Sequence, residues 1–168
     1  MAVTRRWLSC SALALWFIGS SQSYADEAAS RFIESAYASA VFQARISRIT
    51  AAKDPRPGIK ALAERVHDFR AAQLPELARI AEAIGVGVRD MLDLELRSIV
   101  ENIEPLDYLA LSRRYAEVEV QALSREIVAY ENAARSEVQE IRDYAAATLG
   151  KLRDLNKAAQ TELAAVMP

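Results

Sequence analysis

"SEVQEIRDYAAATLGKLRDLNKAAQTEL", residues 136–163, is the stretch that decides the fold class. Val138, Ile141, Ala145, Thr148, Leu152, Leu155, Ala159 and Leu163 recur three or four residues apart. That spacing puts them on one face of a helix, with charged residues on the other. Ser136-Glu137-Val138-Gln139 has capping-box spacing, which predicts that the helix starts there. One face of a lone helix cannot bury itself, so the pattern demands partners of the same kind.

The partners lie upstream. Pro105 opens a helix whose stripe is Leu109, Arg113, Ala116, Val120, Leu123, Ile127 and Tyr130. An earlier one carries Ile59, Leu62, Val66, Phe69, Gln73, Leu77, Ile80 and Ile84. It ends near Gly85, suited to a left-handed C-terminal position, and Pro75 predicts a kink within it. A further helix spans roughly Asp26 to Ala52, with Phe32, Ala36, Ser39, Phe42, Gln43, Ile46 and Ile49 near one face. "KDPRPG", residues 53–58, separates these two: Asp54 can cap, and Pro55 or Pro57 suits a first helical turn. Residues 86–104 read as a loop and a short helix.

Glycine is scarce and no Val/Ile/Thr-rich alternating segment occurs, so the composition is all-α. Four long helices with a long crossing between the second and third predict a ferritin-like four-helix bundle, with a short extra helix in that crossing. A three-helix or extended hairpin arrangement is the structural alternative.

The first 25 residues belong to a different category. Arg5 and Arg6 precede an apolar run from Trp7 to Ile18, and Ser23-Tyr24-Ala25 supplies small residues before a cut. This predicts a signal peptide, residues 1–25, cleaved after Ala25, with a single domain over 26–168 and a periplasmic or secreted location. The run is too short for a lasting membrane span. Thr4-Arg5-Arg6-Trp7-Leu8 leaves twin-arginine export open beside the general route.

Cleavage would remove Cys10, Trp7 and Trp16, so disulfide and thiolate chemistry are excluded from the mature chain. Losing two arginines leaves 19 basic residues against 23 acidic ones, a net charge of −4. Nothing in that balance favours nucleic acid.

Four segments resemble a family of secreted bacterial proteins of unknown function with a ferritin-like four-helix fold, often labelled outer-membrane proteins. They are "FIESAYASAVFQARISRIT" (32–50), "IKALAERVHDFR" (59–70), "LSRRYAEVEVQAL" (111–123) and "YAAATLGKLRDL" (144–155). The resemblance implies a central glutamate where this chain has Gln43, and histidines at Arg70, Leu123 and Leu155. On that reading the chain is a divergent member, and no family site residue carries over. The outer-membrane label does not follow, because no barrel-strand pattern is present.

The sequence itself offers one half of a bundle metal site, Glu64-x-x-His67, around the only histidine. At about 100° per residue, Glu64 falls nearly opposite the apolar arc and His67 more than a quarter-turn off it, so both are expected outside the core. Leu123 and Leu155 are expected in a plain hydrophobic core, and Glu117/Glu119 and Glu137/Glu140 on solvated faces. Gln43 is the one polar residue expected to look inward, within reach of Gln73 or Arg113. No triad or phosphate loop is present.

The reading is therefore a non-catalytic interaction or envelope-associated protein with no catalytic, cofactor-binding or metal residues and no cofactor. A metal-binding ferritin-like protein is the rival. Tyr108, Leu111, Tyr115, Val118 and Ala122 form a second apolar stripe on the third helix. Either residues 91–100 fold over it, or it is a surface for self-association or an unknown protein partner.

Overall fold

The computed structural model describes residues 19–167, with side chains from Glu27 onward. Residues 1–18, which include Cys10 and most of the signal peptide expected over 1–25, lie outside the described residues. The described chain is all-helical: α1 (Gly19–Lys53), α2 (Pro57–Ala83), α3 (Leu94–Ile103), α4 (Tyr108–Ala133) and α5 (Gln139–Val166).

Local chemistry explains most boundaries. Pro57 occupies the first turn of α2, and it holds the preceding Arg56 extended at ψ 120°. Asp54 does not cap that helix; its Oδ1 accepts from Arg56 N at 2.9 Å and its Oδ2 from Ser112 Oγ at 2.7 Å. The α2 C-terminus is a Schellman turn, with Val86 N bonded to Ala81 O, Gly85 N to Glu82 O, and Gly85 at φ 73°. Asp93 caps α3 by accepting from Leu96 N at 2.8 Å.

Two expectations need correction. The helix α1 extends upstream of Asp26 to Gly19, because no proline or other breaker intervenes. The Ser136 capping box does not form: α5 starts at Gln139, and Ser136 Oγ instead accepts from Val138 N at 3.2 Å. The helix α2 runs continuously through Pro75, which sits on its exposed side.

The four long helices pack as α1 on α2, α2 on α5, α5 on α4 and α4 on α1, while α3 lies on α1 and α4. Cross-helix contacts give the directions. Going up α4, Asp107, Tyr115, Glu126 and Tyr130 meet Lys53, Ser47, Gln43 and Phe32 of α1, in descending order. Arg79 of α2 meets Glu140 near the start of α5, and Gly58 lies against Glu162 near its end. Every neighbouring long pair is thus antiparallel.

Because α4 begins beside the end of α1, the 84–107 connection must return along the length of α2, roughly 40 Å for 27 residues. Lys53 Nζ anchors its far end, donating to Glu104 O (2.7 Å) and Leu106 O (2.8 Å) and pairing with Asp107 at 3.1 Å. Ile33, Ile46, Leu62, Val66, Leu77, Leu123, Ile141, Leu152 and Leu155 fill the core between these helices.

Candidate functional site

The core is not plainly hydrophobic. Midway along the helices it holds Gln43 and Ser47 from α1, Arg70 and Gln73 from α2, and Glu119 and Glu126 from α4, all buried. Arg70 is the centre. It is fully buried and forms an ion pair with Glu126 Oε2 through its NH2 group. It also donates to Gln43 Oε1 at 2.8 Å and Gln73 Oε1 at 2.6 Å.

Both glutamines are used completely. Gln43 Nε2 donates to Glu126 Oε2 and Ser39 Oγ, each at 2.9 Å. Gln73 Nε2 donates to the hydroxyls of Tyr130 and Tyr144, each at 2.8 Å. A guanidinium presents its donors in a fixed planar fork, and here two amide oxygens and one carboxylate fill most of it.

Glu119 is the second buried carboxylate. Ser47 Oγ donates to its Oε1 at 3.4 Å and accepts from the Tyr115 hydroxyl at 2.9 Å. Desolvation dominates its ionisation and the Glu126 charge adds to it, so its pKa rises to about 8 despite the opposing pull of Arg70. At neutral pH the cluster therefore balances one guanidinium against one carboxylate, with Glu119 mostly protonated. Burial also holds the Tyr115 and Tyr130 hydroxyls well above 10. Three polar atoms of the cluster, Arg70 Nε, Glu119 Oε2 and Glu126 Oε1, have no hydrogen-bond partner among the described residues. Buried groups left in that state cost free energy, so they mark the place where this core departs from ordinary packing.

The positions singled out from the sequence fall out as follows. Gln43 does look inward, but it bonds Arg70 and Glu126 rather than Gln73 or Arg113; Arg113 Nε instead donates to Val166 O at 2.6 Å. Arg70 takes the inward place expected of Phe69, which is only half-buried. Glu64 is exposed, and His67 is half-buried with Nδ1 3.2 Å from Ala44 O. Glu119, expected on a solvated face, is fully buried. Leu123 and Leu155 are buried in the core.

Of the second stripe, Leu111, Tyr115 and Val118 are buried inside the chain, and only Tyr108 is exposed, at 73%. Tyr115 meets α1 through Ser47, and α3 lies on α4, with Val118, Leu96 and Ile99 lining one cleft. A signal for the missed carboxylates was present in the sequence. Glu119 has Tyr115, Ala116, Ala122 and Leu123 at three and four residues' distance, and a residue flanked so on a helix lies on its buried side.

Among the described residues, no three His, Cys, Asp or Glu side chains gather as a metal-binding group, and no helix is long and apolar enough to cross a membrane. What is present is an all-helical protein whose long helices enclose an arginine-centred polar cluster. The chain belongs to the family described as a domain of unknown function, DUF4142, whose model matches residues 19–161. Neither a curated protein nor a solved structure matches it.

Proposed function

We propose that this is an exported, ferritin-like four-helix bundle that acts by binding rather than by catalysis, with its own guanidinium standing where such bundles hold metal. The observation that carries this reading is the buried Arg70–Glu126 pair between Gln43 and Gln73. The antiparallel neighbours and the long return crossing favour the ferritin-like arrangement. In that arrangement the mid-helix polar residues form the metal cage, and here a fixed positive charge sits among them. A dication beside Arg70 would meet repulsion in a medium of low dielectric, and two of the inward groups are neutral amides already committed to hydrogen bonds.

The resemblance deepens the argument, since Gln43 and Arg70 stand where it implies glutamate and histidine, and the two side chains touch. The Gln43–Arg70 pair, a neutral amide and a fixed cation, keeps a polar centre while removing its ligands. Export to the periplasm rests on the leader sequence, and a role in the cell envelope follows from that location.

The test is elemental analysis of the mature protein purified from the periplasm, with its intact mass. The expected result is a mass beginning at Asp26 and less than about 0.1 equivalent of iron, manganese or zinc. Stoichiometric metal would overturn the metal-free reading in favour of a metal-binding ferritin-like protein, and an uncleaved chain would overturn export.

A further inference from the structure

A cleft of about 610 Å³ lies between α1, α3 and α4. That is within the ~300–1,000 Å³ usual for small-molecule sites. Phe32, Phe42, Leu96 and Ile99 give it apolar walls. Glu126 also lines it, with a side chain only 8% exposed, and one of that carboxylate's oxygens, Oε1, has no partner. The cleft therefore reaches the Glu126 side chain at the edge of the central cluster, whose unused Oε1 is itself closed to solvent, so a ligand gains it only as the carboxylate turns toward the cleft.

We propose that this cleft binds a small organic amine in its protonated form, the apolar body between α1 and α3 and the ammonium group donating to Glu126.

Charge selects the class. The lining carries four carboxylates, Glu34, Asp93, Glu95 and Glu126, against two guanidiniums, Arg114 and Arg125. Arg114 already faces Glu117 at 3.7 Å. An anionic ligand would bring a second acceptor to an oxygen that lacks a donor. A metal dication would find one free carboxylate oxygen there, far short of the six or so oxygen ligands it prefers. The Phe32 ring, half-buried and lining the cleft, is an aromatic surface that an ammonium group can approach. This site shares Glu126 with the metal-free reading above but uses Oε1, whereas Arg70 bonds Oε2, and amine titration and metal analysis fail separately.

Isothermal titration of the mature protein with tryptamine, its alcohol analogue tryptophol and indole-3-acetate at pH 7 tests it. Tryptamine is expected to bind with a Kd below about 1 mM, and the alcohol and acid at least about tenfold more weakly. Ala122→Trp, which fills the cleft from a half-buried position on α4, should abolish binding. Glu126→Gln should weaken tryptamine about tenfold and leave tryptophol unchanged. Because that variant alters the core, Glu34→Gln with Glu95→Gln, both on the exposed rim, provides the second measure and should weaken tryptamine severalfold. Equal affinity for tryptamine and tryptophol, no heat with tryptamine up to about 10 mM, or binding that persists in Ala122→Trp would each overturn the proposal.

Discussion

Glu119→Gln should remove most of the alkaline instability of this protein. Folded Glu119 keeps its proton up to about pH 8, whereas the unfolded side chain releases it near the ordinary 4.5. Between these values the native state binds more protons, so stability must fall as pH rises. The contribution is complete below about 4.5 and is lost on passing through about 8. The slope approaches 1.4 kcal/mol per pH unit, and the whole difference is roughly 5 kcal/mol, a large share of the ~5–15 kcal/mol that stabilises a domain. The groups facing Glu119 are Ser47, Tyr115, Arg70 and Glu126, and the Tyr115 hydroxyl stays protonated across this range. The neutral glutamine has no proton to lose. At pH 5 it should cost about 1 kcal/mol, because its amide donors lack ready acceptors in that site. At pH 9 the variant should exceed the parent by about 3–4 kcal/mol. Urea unfolding at half-unit pH intervals reads this directly, and taking the difference between the two proteins cancels every other titrating group. Parallel stability curves for parent and variant would refute a protonated, desolvated Glu119.

Arg70→Met should destabilise by about 3–5 kcal/mol by leaving Glu126 buried without its cation, while Arg70→Met with Glu126→Leu should recover most of that; a single-variant cost under about 1 kcal/mol in urea would count against the buried pair. Tyr115→Glu and Val118→Glu should each cost more than about 3 kcal/mol, because both side chains are buried within the chain. A folded variant whose light-scattering mass had changed would instead make that stripe an interface. Tyr108 opens α4 at φ 47° with its side chain 73% exposed, so Tyr108→Gly should relieve left-handed strain and raise the midpoint of thermal unfolding by about 2–4 °C. An unchanged or lower midpoint would show that the strain is not carried there.

The readable part of the fold was the part written in periodicity. The Val138–Leu163 stripe, the Pro57 start and the Gly85 stop each follow from one residue type or one spacing, and the helices formed where those signals stand. The 136–139 capping box was misleading because a cap needs the backbone to turn at that residue, and the chain there spends two further residues leaving α4. The site was harder. Arg70, Gln73, Glu119 and Glu126 look like ordinary helix-surface residues in composition, and only their apolar neighbours at three and four positions hinted otherwise.

By itself the sequence determined helices, their order and the long crossing, because these depend on interactions between residues close along the chain. It also determined that this protein has one histidine and one cysteine, at position 10. Only the tertiary structure decided that a guanidinium, two carboxylates and two amides meet in the core. Whether a charged side chain is solvated or buried depends on which helix lies opposite. Gln43 and Glu126, 83 residues apart, become partners only when α1 and α4 run antiparallel in register. That same register folds α3 over the Val118 stripe and turns what one helix displays as a surface into the wall of a cleft.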